Sequence, residues 1–209
     1  MSDCFTDFIE TAEALREIYE QPSKGAVAKE IRCIDEHCSR FIELSPFVCI
    51  GTMNANGTAD VSPRGGGSGF IHVLNSDFLA ITDRPGNNRL DSMINIITNP
   101  AVALLFFVPG VEDMLRINGT ARITADPSLK ARFDFNGRLP ASVMLVEVRE
   151  AQLHCPKAIK RAGLWNTATF VERKTYPTAG QVLRDHLGLE TPVAAIDNFV
   201  EKDARERLY

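Results

Sequence analysis

The chain has 209 residues, 44% hydrophobic and 24% charged, enough for one substantial core in an ordinary globular protein. A net charge of −4 and an isoelectric point near 5.6 exclude a general nucleic-acid binder, whose basic surface must neutralise many phosphates. No apolar run approaches the roughly 20 residues that span a bilayer, and Met1-Ser2-Asp3-Cys4 has neither a basic nor an apolar leader region, so a cytoplasmic protein without a membrane partner is expected.

Residues from about Phe5 to Glu20 carry Phe8, Ile9, Ala12, Leu15, Ile18 and Tyr19 at helical spacing, which predicts a first amphipathic helix. Pro22-Ser23 breaks the chain. Ser23 is placed to cap a second helix running to about Leu44, with Ala26, Ala28, Ile31, Ile34, Cys38, Phe41 and Ile42 on one side. After Ser45-Pro46 the period changes. Phe47 to Met53 reads as a strand, Asn54-Ala55-Asn56-Gly57 as a turn, and Thr58 to Pro63 as the returning strand of a hairpin. Gly65-Gly66-Gly67-Ser68-Gly69 leads to a second hairpin, Phe70 to Leu74 and Phe78 to Ile81, around Asn75-Ser76-Asp77.

A helix from about Asn88 to Thr98 stops at Asn99-Pro100. The run Ala101 to Val108 is apolar throughout, which predicts a central strand buried on both faces. Met114 to Thr124 alternates around Gly119, where a bulge is expected. Asp126-Pro127 opens a short helix to about Phe135, and Ser142 to His154 is a long, mainly alternating strand. Six or seven strands joined by hairpin-length connections exclude a doubly wound parallel sheet and favour an antiparallel barrel, closed or partly open. Beyond Pro156, the segment from Lys157 to Trp165 reads as a short basic helix with an aromatic anchor, and residues 179–188 and 192–208 as two more helices.

Chemistry concentrates between the second hairpin and the helix after it, in Thr82-Asp83-Arg84-Pro85-Gly86-Asn87-Asn88-Arg89-Leu90-Asp91-Ser92. Pro85-Gly86 makes a turn, and Asn87 or Asn88 is the expected N-cap. A helix N-terminus with unpaired N–H groups favours an anion, and Arg84 and Arg89 flank it. Two readings of the residues stay open: a phosphate takes the place of the acids usual at a helix start, or two solvated guanidiniums pair with Asp83 and Asp91. Arg64 also ends a strand, one hairpin away, so three arginines are expected to converge on one barrel rim.

The glycine run after Arg64 matches neither the Walker pattern nor a dinucleotide fingerprint, since it precedes a strand. His154-Cys155 are neighbours on a strand and face opposite ways, so they make no nucleophile–base pair. Five scattered cysteines without a CxxC, and His72 without a second ligand at metal spacing, give no disulfide framework and no metal site.

Ser45-Pro46-Phe47, Asp60-Val61-Ser62-Pro63-Arg64-Gly65, Gly69-Phe70, Asp83-Arg84-Pro85-Gly86-Asn87-Asn88-Arg89-Leu90-Asp91-Ser92, Asn99-Pro100, Pro109-Gly110 and Leu115-Arg116-Ile117-Asn118-Gly119 resemble the pyridoxamine 5′-phosphate oxidase-related family of FMN-binding split barrels. The resemblance covers about residues 40–166. It implies a mainly β fold with flanking helices, a six-stranded antiparallel split barrel over residues 45–166, with an N-terminal helical extension (1–44) packed on it and a C-terminal helical tail (167–209). It further implies a homodimer holding FMN at its interface. Ser62, Pro63 and Arg64 would line the flavin and ribityl side, Thr82, Asp83, Arg84, Asn88 and Arg89 the phosphate, and Lys157, Arg161 and Trp165 would reach a neighbouring flavin.

The implied activity is an FMN-dependent oxidoreductase acting between a small-molecule electron donor and acceptor, with no catalytic side chain assigned. The vitamin B6 oxidases of the family place an Arg-x-His element after the tryptophan, whereas Asn166-Thr167-Ala168 follows Trp165 here. Oxidation of pyridoxamine or pyridoxine 5′-phosphate is one alternative; a flavin- or haem-binding protein without turnover is the other.

Overall fold

A computed structural model describes residues 6–207. Its centre is one antiparallel sheet of eight strands: β1 (Glu30–Ile31), β2 (Phe47–Met53), β3 (Ala59–Gly65), β4 (Ile71–Val73), β5 (Phe78–Thr82), β6 (Ala101–Phe107), β7 (Met114–Thr124) and β8 (Val143–His154). The strand order is β3-β2-β6-β7-β8-β5-β4, with β1 added to the edge of β8. β3 and β4 end the path and do not pair with each other, so the barrel is split.

The long β7–β8 ladder explains the shape. Its Met114/His154 half carries β6, β2 and β3, while its Thr124/Val143 half carries β5 and β4. Between the halves the register slips at Asn118/Gly119, where a Cβ on Gly119 would collide with the carbonyl oxygen of Glu147. Only glycine lets the strands approach there, and the bulge turns one half of the sheet against the other.

The inner face is the core: Val48, Ile50, Leu79, Ile81, Leu104, Phe106, Leu115, Ile117 and Val146 are at or below 4% exposure. Each such side chain contributes about 1.5–3 kcal/mol of burial. Helix α3 (Glu36–Leu44) closes one side with Cys38 and Ile42, and α4 (Asp91–Thr98) closes another with Ile96. α4 is pinned by two hydrogen bonds: Asn95 Nδ2 donates to Thr52 Oγ1 at 3.0 Å, and Ser92 Oγ donates to Asp60 Oδ2 at 3.1 Å. A smaller cluster lies on the outer face of β4, β5 and β8, where Ala80 and Val143 meet Phe133 from the segment following helix α5 (Pro127–Ala131).

Several local expectations are corrected. The first helix is only α1 (Ala12–Ile18), capped by Thr11, and none of its residues is buried; Phe5 lies outside the described residues. The second helix from Ser23 to Leu44 is really α2 (Lys24–Ala28), β1 and α3, because Asp35 caps a fresh helix through Cys38 N and Ile34 N–H bonds to the Ser76 carbonyl. β6 is not buried on both faces: Val102, Leu104 and Phe106 point inward, while Ala101 and Ala103 are exposed outward. Nor is it central, since β7 occupies the middle of the path. Beyond the sheet, α6 (Lys157–Ala162) precedes a helical pair, α7 (Ala179–Leu187) and α8 (Val193–Glu206). Among the described residues, no helix is long and apolar enough to cross a membrane.

Candidate functional site

The loop from Asp83 to Leu90 carries the chain from the end of β5 to the start of α4. The expected asparagine cap does not form: Asn87 Oδ1 accepts from Arg89 N at 3.1 Å, and the residue before the helix is Leu90, which has no side-chain acceptor. Asn88 and Leu90 both adopt left-handed backbone conformations, with φ of 58° and 59°. Asparagine tolerates this region; for leucine such strain costs of order 1–3 kcal/mol and tends to collect where a loop is shaped for a ligand. The acid usual at a helix start is present as Asp91.

Arg89 donates from Nε to Asp91 Oδ2 at 2.8 Å, and Asp91, with a further contribution from Asp60, raises the pKa of its guanidinium. Arg84 goes elsewhere, stacking its guanidinium over the Phe135 ring at 5.0 Å. Arg84 therefore stands against Phe135, Arg89 against Asp91, and Arg64 on the inner face of β3 opposite Val48.

Asp60, Ser62 and Arg64 alternate along β3 and lie opposite Thr52, Ile50 and Val48, so all three share the inner, α4-covered face; Pro63 points to the outer face. Arg64 is half-buried, and its Nε is buried without any hydrogen-bond partner. Thr82, at 6% exposure, also has an unpartnered Oγ1. The other such atom among the described residues is Nε of Arg116, whose Nη2 bonds Glu150 and Gln152. Buried donors left unpaired are uncommon, because each costs about 1–3 kcal/mol.

Lys157, Arg161 and Trp165 sit apart from the loop. Buried Ile159 anchors α6, Lys160 pairs with Glu112 at 3.0 Å, and Trp165 Nε1 donates to the Val111 carbonyl at 2.8 Å. This fixes α6 on the β6–β7 turn, at the end of the sheet away from Thr82. Lys157 and Arg161 remain exposed there.

Three neighbours escaped the sequence reading. Asp60 holds Ser92, and His72 and Arg132 gather with Arg84 around Phe133 and Phe135. Burial, then Arg84, then Arg132 depress the pKa of His72 below the usual imidazole range. His72 is a visible titratable group in the sequence, but only the pairing of β4 with β5 shows which face it shares.

The pyridoxamine 5′-phosphate oxidase family profile matches residues 34–155, more than half of the chain. The chain belongs to the pyridoxamine 5′-phosphate oxidase family. Its open antiparallel sheet with flanking helices is the split barrel expected of that family. No curated protein matches its sequence. Similar solved structures include HupZ of Group A Streptococcus, at 16% identity and TM-score 0.47, covering 56% of this chain and 91% of that one. A putative pyridoxamine 5′-phosphate oxidase of Lactobacillus delbrueckii is similar at 20% identity and TM-score 0.43, with 58% and 98% covered. An FAD binding protein of Mycobacterium smegmatis is similar at 16% identity and TM-score 0.41, with 59% and 97% covered.

Proposed function

We propose that this family member is an FMN-dependent oxidoreductase that works as a homodimer with the flavin at the subunit interface. The observation that carries the reading is the unpartnered Nε of Arg64, on the inner face of the sheet's edge strand beside Ser62. A buried charged donor without an acceptor suits a polar ligand edge laid along β3, and the family supplies the flavin as that ligand. Ser62 and Arg64 then line the ring and ribityl side, while Pro63 between them faces the other way and shapes the strand. The phosphate belongs to the strained loop, where Asn88 and Arg89 stand before the uncapped start of α4, with Thr82, Asp83 and Arg84 leading into it.

The outer face of β3, β2 and β6 supports the dimer. Val61 is 68% exposed, Met53 41% and Phe47 39%, with Ala101 and Ala103 open between them, an apolar surface that a second copy would cover. Because α6 stands at the end of the sheet away from Thr82, Lys157, Arg161 and Trp165 serve the flavin held by the partner's loop, not their own.

The isoalloxazine, when bound, supplies the electron chemistry, while the chain supplies position, charge and exclusion of water. Arg64 presents a fixed positive charge and a free N–H donor; Arg89 offers charge to the phosphate at the cost of loosening its contact with Asp91. Asn166-Thr167-Ala168 stands directly after Trp165, and the Arg-x-His that occurs downstream, Arg184-Asp185-His186, lies on α7 and not beside the tryptophan, which supports a substrate other than a vitamin B6 phosphate.

Stopped-flow spectroscopy of the FMN-loaded protein tests the catalytic part. Reduction of its flavin by a nicotinamide nucleotide and reoxidation by oxygen supports an oxidoreductase. Flavin that neither donor nor acceptor can cycle makes it a binding protein.

A further inference from the structure

The outer face of the sheet does not end at β6. Residues directly opposite each other in an antiparallel ladder share a face, so Pro63, Cys49, Leu105, Arg116 and Gln152 form one row across β3, β2, β6, β7 and β8. Val61, Gly51, Ala103, Asn118 and Glu150 form the next row. In each row the residues on β3, β2 and β6 are apolar or small, and those on β7 and β8 are polar. Arg116 stands between Leu115 and Ile117, both at 0% exposure in the core, so its own side chain leaves the sheet on the outer side. There its guanidinium is held in place. Nη2 donates to Glu150 Oε1 and, at 2.7 Å, to Gln152 Oε1, while Asn118 Nδ2 donates to the same Glu150 oxygen at 3.3 Å. Its other N–H groups are unspent: Nε is buried without an acceptor, and Nη1 has none among the described residues.

Resting on the dimer reading above, we infer that this network is the polar border of the dimer interface and that Arg116 fixes the register of the two subunits. It donates its unspent N–H groups to a carbonyl or carboxylate oxygen of the second copy. Three observations select a second copy as the occupant. The border continues the apolar face without a gap, since Arg116 lies directly opposite Leu105 and Asn118 opposite Ala103. It carries both signs of charge, Arg116 with Glu150, as a face that meets its own image across a two-fold axis must. The centre of the face is a low shelf: Gly51 has no side chain, and a Cβ there would meet only Ala103, at 3.7 Å, so another sheet can come close. Such a shelf by itself has little to set how the copies slide past each other. A guanidinium already held by its own subunit demands a matching acceptor, and an unmatched register leaves that charge buried without one.

Sedimentation over a dilution series, with and without saturating FMN, tests this on Arg116→Lys. Lysine keeps a charge for Glu150 but replaces the planar fork with one compact ammonium, so the subunit should keep its fold by circular dichroism. The dimer dissociation constant should rise about tenfold or more, the loss of one charge-assisted contact. The double variant Arg116→Met with Glu150→Met removes the network without stranding a charge and should weaken the dimer as much. Arg40→Lys, in the exposed Arg40–Glu43 pair of α3, should leave the dimer unchanged. A dimer that Ala103→Lys breaks but neither Arg116 variant weakens overturns this inference and leaves the dimer reading standing. A chain that is monomeric under both conditions, or a dimer that none of these variants weakens, overturns both. A dimer that Arg116→Lys weakens but that binds no FMN upholds the inference, and only the flavin reading fails.

Discussion

Replacing Arg64 with methionine isolates the one atom on which the flavin reading leans. Methionine keeps most of the apolar stem that Arg64 lays along β3 but removes the guanidinium, including the buried Nε that has no partner. In the flavin-free protein that donor costs about 1–3 kcal/mol, only partly offset by the hydration of the two terminal nitrogens, so its removal should be neutral or stabilising by roughly 1 kcal/mol. For a chain of this size that corresponds to a rise in Tm of about 2–4 °C. With flavin present the sign reverses. Loss of a charge-assisted hydrogen bond of roughly 1.5–3 kcal/mol should raise the Kd for FMN about 10- to 150-fold. Riboflavin should lose the same factor, because Arg64 addresses the ring and ribityl side and not the phosphate. Thermal unfolding of the flavin-free variant and calorimetric titration with both ligands give the two numbers. Destabilisation of the flavin-free protein by more than about 2 kcal/mol, or an unaltered FMN affinity, would refute the reasoning, because Arg64 would then be a structural residue.

The complementary variant Arg89→Ala should weaken FMN about tenfold or more and leave riboflavin nearly untouched, read in the same titration. His72 has a folded-state pKa below its ordinary value of 6.5, so the unfolded chain binds its proton more readily. Its contribution to stability is present above about pH 6.5 and is lost as pH falls through that value toward the folded pKa; His72→Gln should flatten this slope in pH-dependent denaturant melts. Ala103→Lys places a charge in the exposed apolar face of β6 and should yield monomers with reduced flavin occupancy by analytical ultracentrifugation. Gly119→Ala should destabilise the fold by roughly 3 kcal/mol in urea unfolding, since the new methyl meets the Glu147 backbone. Cys38, buried with its thiol pushed up to about 12 chiefly by burial, should resist alkylation in the native protein, while exposed Cys155 labels quickly under mass-spectrometric detection.

Local chemistry made much of the fold legible. The hairpin turn at Asn54-Ala55-Asn56-Gly57 forms as its residues suggest, with Asn54 Oδ1 accepting from Asn56 N and Thr58 N. The glycine inside β7 marks a real bulge, and Pro100 lies beyond the end of α4. What sequence periodicity could not show depends on partners far along the chain. Ile31 and Ile34 fit a helix spacing that continues from Ala28, yet β8 takes Glu30 and Ile31 as an edge strand and Ser76 holds Ile34. The apolar run of β6 looked buried on both faces, because Ala101 and Ala103 are apolar by composition even though they stand exposed on the outer face. At the site, Thr82, Arg84 and Arg89 are close in sequence, but the face Thr82 uses is decided by its pairing with Val143, and Asn88 and Leu90 turn the backbone left-handed before α4. His72 and Arg132 have no sequence signature for joining Arg84; only strand register and the Phe133 cluster bring them there.

The most direct test of the central claim is the absorption spectrum of the purified protein after incubation with FMN and removal of free flavin by gel filtration. A flavin spectrum that co-elutes with a dimer at close to one FMN per chain is the predicted result. A colourless protein, or flavin that separates from it on the column, would contradict the account.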